Sequence, residues 1–200
     1  MKPGHVAVVL AAGASERLGE PKQLLKRNGE TLVHRAVRLA EATGPSELVL
    51  VCGAYRTEVQ QAAGGTGITV LFNPQWQQGL ATSLQIAAQH LQGGEQDCLL
   101  LGCDQPALEL FHLQALLESA FSAASGCAAS LHADRPGIPA VVAASTLSQA
   151  RHLQGNRGLR DVLRKLPAGS LGLLHADALA FDIDTPADKE KAVIDGLLDR

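Results

Sequence analysis

Short apolar runs alternate with stretches of helical spacing through the first half of the chain, and this alternation limits the fold more than any other feature. Val6–Leu10, Leu48–Val51, Thr69–Phe72 and Cys98–Leu101 are rich in Val and Leu and bounded by turn residues. Thr31–Thr43, Tyr55–Ala63, Ala81–Leu91 and Leu110–Ala124 instead space their apolar residues close to the 3.6 period of a helix. Strand–helix alternation of this kind builds a parallel sheet wrapped by helices. Strands apolar on both faces belong in a sheet covered on both sides. The second half is less regular. Ala128–Leu131, Ala140–Val142 and Leu171–Leu174 read as further strands, Gly158–Lys165 as a helix, and Pro186–Leu198 as a closing helix with Pro186 in its first turn. No repeat, low-complexity tract or linker interrupts the 200 residues, so one domain spanning 1–200 is expected. The expected fold class is α/β: three αβα layers around a mostly parallel, Rossmann-like sheet.

Composition removes several function classes. Aromatic residues make up 3% of the chain, too few for the stacking platforms of single-stranded nucleic-acid binders. The formal net charge is −3 and no Lys/Arg block stands out, so neither nucleic acid nor another polyanion is an expected partner. No run reaches the length of a membrane span, and Met1-Lys2-Pro3-Gly4-His5 is followed by an apolar run too short for a signal sequence. Cys52, Cys98, Cys103 and Cys127 form no CxxC pair and sit in or beside apolar runs. They read as small buried hydrophobes in a reducing compartment, and the expected address is the cytoplasm.

In parallel sheets, ligands bind beyond the carboxyl ends of the strands. Four segments lie there. The first, "LAAGASERLGEPKQLL", leaves the first strand through Ala11, Ala12 and Gly13, whose small side chains let a ligand approach the backbone. N–H groups there can hold phosphate oxygens, and Arg17 and Lys22 can neutralise a triphosphate. It is neither a Walker A loop nor GxGxxG. The other reading is a mobile loop with two solvated cations. The second, "LLLGCDQP", places Asp104 just after an apolar strand, where a carboxylate is suited to Mg²⁺ shared with substrate oxygens. A turn or helix cap is the competing role. In the third, "FDIDTPAD", Asp182 and Asp184 are expected to point opposite ways, so that one faces a site, and Thr185 is expected to cap the closing helix. The fourth, "NPQWQQGLATSL", places Asn73 after a strand and Gly79 to Ser83 before a helix. Its backbone and the Ser83 hydroxyl can read a base or ribose, or merely close a capped loop.

Taken together, these segments resemble the MobA-like nucleotidyltransferases, and most nearly the molybdenum cofactor cytidylyltransferase branch. The opening LAAGxSxRMGxxK pattern stands here as Leu10-Ala-Ala-Gly-Ala-Ser-Glu-Arg17-Leu-Gly19-Glu-Pro-Lys22, with Leu18 at the usual Met. NPxxxxGxxxSL stands as Asn73-Pro74, Gly79 and Ser83-Leu84; the acidic signature is Cys103-Asp104-Gln105-Pro106, and the ending resembles DIDTPxD. The resemblance runs in order over nearly the whole chain. It implies a nucleotide-diphospho-sugar transferase fold of GT-A type and transfer of a nucleotidyl group to an acceptor phosphate with release of pyrophosphate. It assigns Lys22 and Arg17 to the triphosphate and Mg²⁺ to Asp104 with Asp184. Leu10, Ala11, Ala12, Gly13, Lys22, Asn73, Gly79 and Ser83 would hold the nucleotide. Ala-Ala-Gly goes with cytidine in the family, which favours CTP; molybdopterin is the favoured acceptor, and a molybdoenzyme or its chaperone the recipient.

Two stretches depart from that branch. Its G-H-P reads Gly137-Ile138-Pro139 here, and its GDxGAR reads Gly155-Asn156-Arg157-Gly158-Leu159-Arg160. Both belong to the acceptor side. The alternatives are the same fold acting on a sugar phosphate or phospho-acid, and a non-catalytic protein that holds nucleotide or pterin for a molybdoenzyme.

Overall fold

The computed structural model describes residues 4–65, 67–132, 135–153 and 158–200. Its centre is β1 (His5–Ala11), buried along its whole length. β4 (Glu47–Cys52) and β6 (Asp97–Gly102) pair with β1 in parallel on either side, opposing Val49 and Leu100 to Val8. β5 (Ile68–Phe72) extends the sheet beyond β4. On the other flank come β8 (Arg135–Val142), β7 (Ala128–His132) and β9 (Gly172–His175), giving the order β5-β4-β1-β6-β8-β7-β9. β8 alone runs against its neighbours β6 and β7. The expected mostly parallel sheet is therefore present.

Helices cover both faces. α1 (Leu32–Glu41), α2 (Arg56–Ala63) and α4 (Leu110–Ser122) pack Val33, Val37, Val59, Leu113 and Leu116 against Ala7, Val9 and Ala11. α3 (Leu80–His90), α5 (Ala144–Ser148) and α6 (Leu159–Leu163) pack Leu84, Ala87, Leu147, Val162 and Leu163 against Val6, Val8 and Leu10. Alternate residues of one strand thus feed two separate cores, because side chains on a strand point to opposite faces. At roughly 25 cal/mol per Å², each fully buried Leu or Val contributes about 1.5–3 kcal/mol. Among the described residues no helix is long and apolar enough to cross a membrane.

Several boundaries differ from the sequence expectations for local reasons. Thr31 is the cap of α1, with Oγ1 accepting from the His34 N–H at 3.3 Å, so the helix begins one residue later. β8 reaches back to Arg135, because pairing with β7 extends it past its apolar part. A hairpin that periodicity does not reveal, β2 (Lys26–Arg27) with β3 (Glu30–Thr31), turns through Asn28 and Gly29, both at positive φ. The closing helix α7 (Pro186–Ile194) stops short of Leu198, since Gly196 takes a left-handed conformation. Thr185 caps it as expected: its Oγ1 accepts from the Asp188 N–H at 3.2 Å, and Asp188 Oδ2 accepts from the Thr185 N–H at 2.8 Å. Thr185→Ala is expected to cost about 1 kcal/mol, read as a fall of roughly 2–4 °C in a thermal melt for a domain of this size.

A third, small cluster fixes the approach to the site. Leu18 from the opening loop packs with Leu25, Leu32, Ile183, Ala192 and Leu198. The closing helix thereby holds the loop that carries Arg17 against the segment that carries Asp184.

Candidate functional site

The chain leaves β1 towards β4 on one side and later returns through β6 on the other, so the order of strands reverses beside β1. A crevice opens beyond the carboxyl ends of the strands at such a point. The segments after β1 and β6 border a cleft of about 240 Å³ there. Leu10, Ala11, Ala12, Gly13, Lys22, Gly79, Ser83 and Asp104 line it. A larger cavity of about 550 Å³ lies under His5 and Asp97, where the strands begin, and includes none of these residues.

The opening loop is built to present N–H groups. Gln23, 1% exposed, donates Nε2 to the carbonyl oxygens of Ala11 at 3.1 Å and Gly13 at 2.7 Å. The Ala12 carbonyl accepts from the Ala54 N–H at 3.0 Å. With three successive carbonyls committed to protein donors, what the loop offers a ligand is amide hydrogen. Ser15, at φ 55, closes the following turn: its carbonyl accepts from Leu18 and Gly19, and its Oγ accepts from the Lys22 N–H at 3.2 Å. The loop is thus tied back on itself around Lys22.

Lys22 joins three separate segments. Its Nζ donates to Asp104 Oδ2 at 2.7 Å and to Asp184 Oδ1 at 2.9 Å. Burial works to lower its pKa, but the two carboxylates outweigh that and hold the ammonium above its ordinary value. Arg17 donates to Asp184 Oδ2 at 2.8 Å with its side chain 71% exposed. An exposed pair of that kind contributes little to stability, so the guanidinium exchanges readily to another anion. Enclosure works to raise the Asp184 carboxyl, but Lys22 and then Arg17 hold it below its ordinary value. Gly102 makes the geometry of Asp104 possible, since a Cβ there would stand 2.5 Å from Asp104 Oδ1.

Asp182 and Asp184 do not point opposite ways. The Phe181–Asp184 stretch pairs with no strand, although the Ile183 N–H donates to the Asp104 carbonyl at 3.0 Å. In extended backbone, residues two apart share a side, and here the intervening Ile183 is the fully buried one. Both carboxylates therefore stand near Asp104. Partial burial of the carboxyl, then the charge of Asp104, push the pKa of Asp182 upward, although the residue as a whole is exposed and water screens the effect.

Asn73 is the other correction. It is fully buried rather than a lining residue, with Nδ2 donating to Thr82 Oγ1 at 2.9 Å and Ser83 Oγ at 3.0 Å. Its Oδ1 accepts from the Gln75 N–H at 2.9 Å. Both its side-chain polar atoms are used inside the protein, so it clamps the loop after β5 to the start of α3. Gln23, Trp76 and Leu80 also line the cleft, and nothing in the sequence marks Gln23 or Leu80 individually as a site residue; Ile138 lines it too. Trp76 belongs to the NPQWQQGLATSL segment and is the chain's only tryptophan, which is the sequence signal that points to it. Of the departing acceptor-side stretches, Ile138 is in the wall, whereas Gly155, Asn156 and Arg157 lie outside the described residues. The four cysteines are buried and unpaired; burial pushes the Cys52 thiol up to about 11, far from a reactive thiolate.

The donor set fits a hard divalent cation shared with phosphate. Two carboxylates converge on one ammonium-sized position at Lys22 Nζ. Among the described residues no three His, Cys, Asp or Glu side chains form a metal-holding group. A closed protein cage is thus not what these residues make; one or two carboxylates completed by substrate oxygens is the arrangement that Mg²⁺ or Mn²⁺ takes with nucleotides.

A mostly parallel sheet with an amide-lined, charged cleft at its switch point is the layout of an α/β protein that binds a phosphorylated ligand. Residues 7–170 match the MobA-like NTP transferase domain, and the chain belongs to that family. It is 29% identical over 184 residues to a molybdenum cofactor cytidylyltransferase of Escherichia coli, covering 90% of this chain and 91% of the relative. It is 32% identical over 172 residues to a nicotine blue oxidoreductase of Paenarthrobacter nicotinovorans, covering 82% and 84%. Among solved structures, Rv0371c of Mycobacterium tuberculosis superposes with a TM-score of 0.78 at 25% identity, covering 96% of this chain and 98% of that one. A nucleotidyl transferase from Methanothermobacter thermautotroptrophicus gives 0.76 at 25%, covering 97% and 98%. A complex of Rv0371c with manganese shares the fold, with a TM-score of 0.75 at 23% identity over 99% of each chain. This chain is a nucleotidyltransferase.

Proposed function

We propose that residues 1–200 form one cytoplasmic transferase domain that moves the cytidylyl group of CTP onto the phosphate of molybdopterin, with Mg²⁺ as its metal. The observation that carries this reading is the Lys22 ammonium held between Asp104 and Asp184 beside the Ala11–Gly13 loop. The Ala-Ala-Gly sequence of that loop and the name of the Escherichia coli relative support CTP and molybdopterin. An oxygen of the acceptor phosphate attacks the α-phosphorus, the α–β phosphoanhydride bond breaks, and pyrophosphate leaves. The attacking oxygen is already ionised, so no general base is required, and catalysis rests on position and charge. Lys22 and Arg17 bind and neutralise the triphosphate while the loop amides orient it. Asp104 and Asp184 would hold the cation, which when bound supplies positive charge to the phosphate oxygens. The product would pass to a molybdoenzyme or its chaperone.

A second acceptor is favoured by one observation: Ile138, where the branch carries His, stands in the cleft wall within reach of Gly102 and Asp104. A sugar phosphate or a phospho-acid is then the substrate. The test is pyrophosphate release with CTP, GTP, UTP and ATP, each with molybdopterin or with a panel of phosphorylated acceptors, in the presence and absence of Mg²⁺. Release with CTP and molybdopterin only when Mg²⁺ is present is the expected result. Release with another acceptor and none with molybdopterin moves the chain to the second reading.

A further inference from the structure

We propose that Trp76 is the platform on which the base of the bound nucleotide stacks. The inference rests on the nucleotide reading above and deepens it by giving the base a place and a partner. The cleft has two chemically different ends. Its charged side chains, Lys22 and Asp104, gather at the end of β6, whereas Trp76 and Leu80 belong to the loop and helix after β5. Trp76 leans over the end of β4, where a Cβ added to Gly53 would stand 2.6 Å from Trp76 Cβ and 2.5 Å from the Ala12 carbonyl. β4 and β6 flank β1, so about two strand spacings, roughly 10 Å, separate the tryptophan from the acidic end. That leaves room for a ribose between a base at one end and phosphates at the other.

The platform is anchored, packing one side against the core under α3 while the residue stays partly exposed in the cleft. The Asn73 N–H donates to the Cys52 carbonyl at 2.8 Å, the Asn73 side chain holds Gln75, Thr82 and Ser83, and the Gly79 N–H donates to the Trp76 carbonyl at 3.1 Å. Trp76 is therefore anchored before and after its own position. Beside it Leu80 is 44% exposed, although it lines the cleft, so the apolar surface there is left wet. Ala12 and Gly79 keep the facing volume free of bulk. A flat, partly buried tryptophan beside the exposed Leu80 and next to small residues suits a planar heteroaromatic ring, whose faces are apolar and whose edge stays available to backbone groups and to Ser83.

Because Trp76 is the only tryptophan, the emission of the full chain reports on it alone. The protein is titrated with CTP, GTP, UTP, ATP, inorganic triphosphate and a free pterin in the presence of Mg²⁺, with calorimetry alongside. Quenching by CTP, and none by inorganic triphosphate that calorimetry shows to bind, is the expected result. Trp76→Leu should weaken CTP binding about 10- to 100-fold while leaving inorganic triphosphate unaffected, and Trp76→Phe should restore most of the loss. A nucleotide that binds without changing the emission, or binds Trp76→Leu as tightly as the parent, overturns the platform. So does quenching by a free pterin with every nucleotide silent. Quenching by GTP but not CTP upholds the platform and refutes the choice of cytidine. Absence of any nucleoside triphosphate binding refutes both.

Discussion

Asp104→Asn is expected to lower kcat for pyrophosphate release about 100- to 1000-fold while the protein keeps its fold. The amide is almost isosteric, and its oxygen can still accept from Lys22, as Asp104 Oδ2 does now at 2.7 Å. What it loses is the negative charge at the carboxyl edge of β6, which the proposed reading gives to the cation and the reacting phosphates. Removing one preorganised electrostatic partner from a transition state typically costs two to three powers of ten, about 3–4 kcal/mol. The fold should survive because the Asp104 backbone, not its side chain, accepts from Ile183. Thermal melts and steady-state rates on the same preparation separate the two effects. Turnover within a few-fold of the parent would remove Asp104 from the reaction.

Lys22→Ala should be comparably damaging, with the loss divided differently. In the proposed function Lys22 holds the triphosphate in the ground state as well as in the transition state, so KM for the nucleotide should rise along with the fall in kcat. A charged hydrogen bond is worth up to about 3 kcal/mol, or roughly 100-fold in kcat/KM. The substitution also leaves Asp104 and Asp184 facing one another without the ammonium they share, so a modest fall in thermal stability should accompany it. Lys22→Arg should recover part of the nucleotide affinity and less of kcat, because the guanidinium fork does not occupy the compact position of an ammonium. The raised pKa adds a pH expectation. Lys22 stays charged below its ordinary value of 10.5 and above, so an alkaline fall in rate between neutrality and about pH 9 belongs to another group. Unchanged KM and kcat in Lys22→Ala would contradict the assignment.

Some of this site is readable without coordinates because its chemistry lies in short continuous segments. Ala12-Gly13 follows directly from an apolar strand that ends at Ala11, and Asp104 stands two residues past the end of another. In a parallel sheet both ends face the same way, so position along the chain translates into position at the cleft. Other features resist such reading. A buried amide is not distinguishable from a surface one by its letter, so neither the carbonyl clamp of Gln23 nor the inward turn of Asn73 is visible in the sequence. The same limit applies to Ile138. Its strand sits beside β6 only because β8 reverses direction there, and pairing of distant strands leaves no local pattern.

By itself, the sequence determined the αβα layering, the position of the amide loop after the first strand, and the presence of Arg17, Lys22, Asp104 and Asp184 at segment ends. Periodicity is a local property, and hydrophobic burial on two faces follows from it. Only the tertiary structure decided that Lys22 stands between Asp104 and Asp184, residues 82 and 162 positions away, and that Asp182 shares their side. Contacts of that separation depend on how the closing helix docks through Leu18, Ile183 and Ala192. The reason is physical: strand and helix periods are set by neighbours in the chain, whereas a charge cluster is set by packing between elements that are distant in it.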